Sequence, residues 1–429
     1  MNKNHLIKLS DGVQRIEHCG LHVDLVHTSR GLVRVGSMPD IAKFLSLYGF
    51  REETVVVPDW EASMAGDNRT GEEFILWQAQ VKGGICKDYT GTATNVAQQH
   101  RHLDETFNYY FDPRRIKIVR KRWLANWFAA KPAAPVFDNG PLKIECEDGN
   151  IIISDDGETL YDRRELPSSA APDGEVEALL AKLPRDRASR DCLEITPIGT
   201  GNGFTGTVSN SVVRFEKYGL WIDPCGYPAQ TLARHNIHWD DITHILITHN
   251  HEDHTQGFTA CLKRAERTGR PLNVLTGKGI FALLRKQFSR LCPDFDRLVN
   301  FSELKPGTPR ELGPINIECR KNQHFLPYGT LGFKISAGGK TFGYSGDTKF
   351  DESINEILGR PELTSQWFSS CDLVFHEIEF DNPMGVHSHW KQVQKLQGDI
   401  PGRVLAYHTP FLDNAPFPLA KEGQRYYLD

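Results

Sequence analysis

The chain has 429 residues, 39% hydrophobic and 24% charged, with a formal net charge of −5. This is the balance of a globular protein long enough for two domains. It excludes a global attraction to nucleic acid or an anionic membrane, while leaving room for a local basic patch. No apolar run is long enough to span a bilayer, and Met1-Asn2-Lys3-Asn4-His5 leads into no hydrophobic signal segment.

The nine cysteines are scattered singly, with no Cys-x-x-Cys pair. That spacing suits free thiols in a reducing compartment, so the expected location is the cytoplasm, with no membrane partner.

Residues 1–165 are expected to form a separate mixed α+β accessory domain for substrate recognition. Asp40–Tyr48 and Thr94–Phe111 read as helices and Thr54–Val57 as a strand. Leu142–Glu145 and Ile151–Ser154 read as a hairpin about Asp148-Gly149. His100 and His102 lack a partner motif and read as surface residues. The stretch Arg114, Arg115, Lys117, Arg120, Lys121 and Arg122 is strongly basic, and Trp127 and Phe128 follow closely. Such charge grips backbone phosphates, and such rings stack on bases. A basic helix face or edge strand docked on an acidic surface would use the same residues. Residues 166–192 then read as a linker, rich in Pro, Ser and charge, around a short amphipathic helix over Glu175–Leu183.

From residue 193 the texture changes to strands with tight turns, then to strand–helix alternation, which predicts a layered α/β domain over 193–429. Glu194–Ile198, Ser211–Phe215 and Gly219–Asp223 are expected strands. The glycine-rich Gly199–Gly203 lacks the lysine of a phosphate-binding loop and reads as a turn. Tyr227–His235 looks helical, and Ile242–Ile247 is an apolar strand. It feeds Thr248-His249-Asn250-His251-Glu252-Asp253-His254, the most chemically dense stretch of the chain.

Imidazoles and carboxylates are the nitrogen and oxygen ligands of zinc and similar ions. Alternation sends His249 and His251 to one side. The turn, opening a helix at Asp253-His254, sends Asp253 and His254 to a second position about 3.5 Å away.

Ile280–Leu291 follows as a helix, and Ile315–Cys319, Leu331–Ser336 and Thr341–Tyr344 as strands. Leu373–Phe375 and Arg403–Tyr407 are further short strands. Four chain positions after such strands carry metal-capable or proton-transferring groups: His324, Asp347, His376-Glu377 and His408. Strand ends in an α/β framework are where sites collect.

These motifs carry a family resemblance. The stretch from about Glu194 to His408 resembles the metallo-β-lactamase superfamily, and within it the ribonuclease Z-like branch of tRNA 3′-processing endonucleases and related phosphodiesterases. The resemblance rests on Ile222-Asp223 before Gly226, Thr248 through His254, His324, and Ser345-Gly346-Asp347-Thr348. Phe375-His376-Glu377, His387-Ser388 and His408 complete it.

It implies a four-layer αββα sandwich for residues 193–429. It also implies one metal ion on His249, His251 and His324, a second on Asp253, His254 and His408, and Asp347 bridging the two. Glu377 is implied as the orienter of His387, the proton donor. Dimers are common in this family, so a homodimer is one assembly the resemblance allows, while the residues themselves do not fix the oligomeric state.

Seven ligands over two divalent ions leave room for a shared water, whose pKa falls under two cations. Zn2+ is the expected metal, and Mn2+ or Fe also suits such ligands. Asp253 or Asp347 can orient the resulting hydroxide. The leaving alkoxide of a phosphodiester needs a proton, which His387 supplies if Glu377 keeps it charged. His389 competes for that role, and His376 reads as structural.

The expected activity is therefore that of a phosphodiesterase acting on a nucleotide or nucleic-acid phosphodiester, with Asp253, His387 and Glu377 catalytic. The alternatives are hydrolysis of a lactone or thioester, or a metal-bearing nucleic-acid-binding or regulatory protein. Only a strand hairpin is expected between His324 and Asp347, and the long Gly/Pro-rich arm of the tRNA enzymes is not evident. This favours a smaller phosphodiester, or a nucleic acid held by the N-terminal domain.

Overall fold

A computed structural model of the chain describes residues 6–18, 21–36, 41, 45, 49–58, 88–91, 136–147, 150–166 and 191–429. Within the last range, 203–207, 227, 290–291, 325–328, 358, 361–364, 382–386 and 410–413 are excepted. The chain divides into two compact units, Met1–Val176 and Glu177–Asp429.

The described part of the first unit is largely β. Six strands from Leu6–Ser10 to Asp88–Gly91 pair in sequence order in one sheet, and four from Val136–Asn139 to Glu158–Asp162 form another. Leu142–Glu147 and Asn150–Asp155 pair antiparallel, as the hairpin expectation has it. The strands Val13–His18, Leu21–Thr28 and Gly31–Val35 were not anticipated, because charged residues interrupt their apolar alternation. Arg15 is one of these, yet it is buried and makes a two-pronged contact with Asp24 at 2.7 and 2.9 Å. The Tyr161 hydroxyl donates to the same carboxylate at 2.9 Å. Pairing of this kind is what permits charge in a β core. The helical expectations over Asp40–Tyr48 and Thr94–Phe111 lie almost wholly outside the described residues. So do His100, His102, the basic stretch Arg114–Arg122, Trp127, Phe128 and nearly all of the linker.

The second unit is α/β, with two sheets. One runs, in spatial order, Val299–Glu303, Leu272–Thr276, His244–Leu246, Tyr218–Ile222, Asn210–Phe215, Leu193–Gly199, Tyr426–Leu428. The other runs Arg310–Leu312, Ile315–Lys321, Leu331–Ala337, Lys340–Tyr344, Leu373–Glu377, Arg403–Tyr407. Each sheet turns from antiparallel to parallel along its length, at Tyr218–Ile222 in the first and at Lys340–Tyr344 in the second. Among the parallel strands, Leu373–Glu377 is buried throughout and Arg403–Tyr407 is buried at all but its first residue, the pattern expected of strands covered on both faces.

The two sheets meet where Phe375 packs against Tyr426, with ring centroids 5.5 Å apart, and where Ser211 bonds the Tyr407 hydroxyl at 3.2 Å. The helix Trp390–Asp399 buries Val393 and Leu396 in one cluster with Val374 and Val404 of the second sheet. The helix Phe258–Thr268 buries Phe258, Cys261, Leu262 and Ala265, a 3.6-residue stripe, and ends at Gly269 in the left-handed conformation.

Among the described residues no helix is long and apolar enough to cross a membrane. Among the described residues, Cys261, Cys292, Cys319 and Cys371 are buried free thiols, Cys146 and Cys225 are buried, and Cys192 is half-buried.

Candidate metal centre

The strand His244–Leu246 is only three residues long, yet both its neighbours are parallel to it, so its C-terminal end opens at the edge shared with Tyr218–Ile222. His249 and His251 leave that end in extended chain, and the helix begins at Glu252, one residue earlier than expected. The second sheet delivers His324, Asp347, Glu377 and His408 from the C-terminal ends of four of its strands.

The Asp347 turn depends on Gly346. Its φ is +57°, and a Cβ there would stand 2.2 Å from the Leu331 carbonyl oxygen. Asn322 closes the same turn, donating from Nδ2 to the carbonyls of Ser345 at 2.7 Å and Asp347 at 3.0 Å. Asp223 and His408 also occupy the left-handed region, at φ +52° and +50°. Such conformations persist only where the surroundings impose them.

Asp347 is the hub. His254 Nε2 stands 3.4 Å from its Oδ1, and the Nε2 atoms of His249, His324 and His408 stand 3.8, 3.9 and 3.5 Å from its Oδ2. Ligand atoms of His249, His251, His324 and Asp347 lie within 4.8 Å of one another, and so do those of Asp253, His254 and His408. All seven residues singled out from the sequence as ligands are thus brought together.

Burial pushes His324 and His408 down to about 4, and holds His249 and His251 well below the ordinary histidine value. Neutral imidazole is the ligating form. His254 is the exception. Burial opposes its charge, but Asp347, Asp253 and Asp223 outweigh burial and hold it well above its ordinary value.

The site fits divalent cations. Among the described residues, His254 Nε2 and Asp347 Oδ1 are buried and complete no hydrogen bond, an arrangement that is costly unless something satisfies both. Nitrogen and oxygen donors closing on one carboxylate can hold one or two such ions.

An outer ring orients the donors. Asp223 accepts from His254 Nδ1 at 2.8 Å, from the Thr248 backbone N–H at 2.8 Å and from its hydroxyl at 2.7 Å. The Thr248 hydroxyl also lies 2.9 Å from His249 Nδ1. Thr248 stood in the quoted motif without a stated role, and the Asn322 contacts had no motif to announce them. Asp223 was visible only as part of a resemblance.

Beside the cluster, His387 Nδ1 bonds Glu377 Oε2, and the Thr348 N–H donates to the other carboxylate oxygen at 2.5 Å. His387 also offers a nitrogen within 4.8 Å of donors on Asp347 and His408. Burial would lower the His387 pKa, but the Glu377 carboxylate overrides it and raises the value to about 9. His389 faces away, capping the helix Trp390–Asp399 with Nε2 3.2 Å from the Phe380 carbonyl. His376 sits on the Glu377 carbonyl, and burial drives its pKa to about 3.

The family model for the anti-Pycsar protein Apyc1 matches residues 193–416, more than half of the chain. The chain belongs to this family.

Apyc1 of Saccharibacillus brassicae is 23% identical over 256 residues, 55% of this chain and 97% of that protein. The cGMP-dependent 3′,5′-cGMP phosphodiesterase A of Dictyostelium discoideum is 31% identical over 163 residues, 37% of this chain but only 18% of the relative's length. Among solved structures, the metallo-β-lactamase fold protein YhfI of Bacillus subtilis aligns at 18% identity and a TM-score of 0.46, over 56% of this chain and all of its own. The C-terminal region resembles metallo-β-lactamase-fold hydrolases, and residues 1–192 lie outside the family match.

Proposed function

We propose that residues 193–429, as an αββα sandwich, form a phosphodiesterase that cleaves a nucleotide or nucleic-acid phosphodiester. His249, His251 and His324 would hold one divalent ion, Asp253, His254 and His408 a second, and Asp347 would serve both, with Zn2+ the first choice of metal. When bound, such ions supply Lewis acidity towards water and towards the anionic phosphodiester oxygens.

The protein's own residues do the rest. Asp253 orients the attacking water. Glu377, fixed by the Thr348 N–H, holds the His387 ring through Nδ1. This leaves Nε2 to pass its proton to the leaving alkoxide. The observation that carries the reading is the bonded pair of His387 and Glu377 beside the cluster, since a lactone or thioester needs no strong acid for its leaving group. The relative named as a 3′,5′-cGMP phosphodiesterase supports the same substrate class. Residues 1–165 would be an accessory recognition domain, with 166–192 as the linker.

The test is turnover by metal-loaded protein of a bis-aryl phosphodiester, 3′,5′-cGMP, a short RNA and a lactone, side by side. Cleavage of the phosphodiesters is expected. Turnover of the lactone alone would sink the proposal.

A further inference from the structure

His408 follows the strand Arg403–Tyr407 in left-handed backbone, at φ +50°. Its Nε2 faces Asp347, so its Nδ1 must be the protonated nitrogen if it is to ligate. Among the described residues, the atom bonded to that Nδ1 is Ser209 Oγ, at 2.7 Å, from just before the strand Asn210–Phe215 of the other sheet and 199 positions away in sequence.

Ser209 is buried to 1% exposure on a braced segment. The Asn210 side chain donates to the Val208 carbonyl at 2.8 Å and accepts from Trp221 Nε1 at 3.0 Å. Two residues along, Ser211 bonds the Tyr407 hydroxyl, and the Thr409 N–H donates to the Thr200 carbonyl at 3.1 Å. The residues on either side of His408 are therefore pinned independently, and among the described residues the Ser209 hydroxyl bonds the imidazole.

We propose that Ser209 is a positioning residue that fixes His408 as the Nδ1–H tautomer. By doing so it governs retention of the ion on the Asp253–His254–His408 side. The inference rests on the two-ion reading above. A hydroxyl accepting from Nδ1–H leaves the Nε2 lone pair facing the cluster. Without it the ring is free to rotate or to carry its proton on Nε2, and either change removes the ligand. Outer partners of this kind typically carry about 10–100-fold in metal affinity.

The experiment titrates metal-free full-length protein with Zn2+ by calorimetry, counts ions after dialysis against a weak chelator, and records melting of the metal-free form. Wild type is expected to keep two ions per chain. Ser209→Ala should keep one and bind the second roughly 10–100-fold more weakly, with unchanged melting of the metal-free form. Ser211→Ala, which cuts the neighbouring inter-sheet bond, should keep both. Should Ser209→Ala fail to fold, the similarly sized pair Ser209→Thr and Ser209→Val separates hydroxyl from bulk, with Thr expected to retain the second ion and Val to lose it. Two tightly held ions in Ser209→Ala, equal losses in Ser211→Ala, or equal behaviour of Thr and Val would each overturn the proposal. A wild type that takes up a single ion would overturn the two-ion reading itself, before any variant is compared.

Discussion

Thr248 is bonded to Asp223 twice, its backbone N–H reaching one carboxylate oxygen and its hydroxyl the other, at 2.8 and 2.7 Å. Asp223 is wholly buried and passes the constraint on to His254 Nδ1. Asp223→Asn keeps the shape but removes the charge, and its amide can no longer accept all three donors. Metal affinity should fall about 10–100-fold, as read by competition with a chelator. Undiminished affinity would mean that the His254 ring is held by packing alone.

Metal uptake should release a proton from His254. In the metal-free protein three carboxylates hold this ring charged above its ordinary range, and an ion must displace the Nε2 proton. Binding should therefore weaken as pH falls. Calorimetry in buffers of different ionisation enthalpy should show about one proton released per chain at neutral pH beyond any from metal-bound water. Buffer-independent heats would refute this.

His387→Ala should retain its metal while kcat on a phosphodiester with a poor alkoxide leaving group falls by roughly 10²–10⁴. With a nitrophenolate leaving group the loss should be much smaller. The proton donor is lost as pH rises through its pKa of about 9, so activity on the poor leaving group should decline on the alkaline side. Glu377→Gln removes the charge that raises that pKa, so the decline should move to lower pH. An alkaline limb that stays put in the Gln variant would separate Glu377 from acid catalysis.

Gly346→Ala should disturb the centre without touching a ligand. A methyl group there meets the Leu331 carbonyl and forces a left-handed alanine, at a cost of about 1–3 kcal/mol. Because the same turn aims Asp347, loss of bound metal should accompany the fall in Tm. Wild-type metal content in a destabilised variant would show the turn to be scaffold only.

Replacing the charges of Arg114–Arg122 with neutral residues should weaken RNA binding and flatten its salt dependence, leaving hydrolysis of a small aryl phosphodiester unchanged. If neither quantity moves, the stretch is structural.

How legible was all this in the sequence? The parallel strands nearest the site read clearly because they are short, apolar and end in chemistry: Leu373–Glu377 delivers Glu377, and Arg403–Tyr407 delivers His408. Leu272–Thr276 and Val299–Glu303 were missed, because polar residues interrupt their apolar runs. The helix Phe258–Thr268 was missed. Its stripe follows so closely on the histidine run that motif masks period, and lysine and arginine fill its outer face. The early strands were missed for a related reason, since Arg15 and Asp24 look like surface residues until their mutual bonding is seen. Outer partners are the least legible class. Ser209, Thr248 and Asn322 are ordinary polar residues whose roles exist only when two distant segments meet.

The donors come from both sheets, His249 through His254 from one and His324, Asp347 and His408 from the other. No half-formed intermediate with a single folded sheet can offer the full set. Capture of an ion by the full set would then follow docking of the two sheets, a long-range assembly of the slow kind. Interactions absent from the transition state slow unfolding without speeding folding. The ions would act as a late latch, giving the loaded protein a long kinetic lifetime, while a chelator would shorten that lifetime without changing how quickly the chain first collapses.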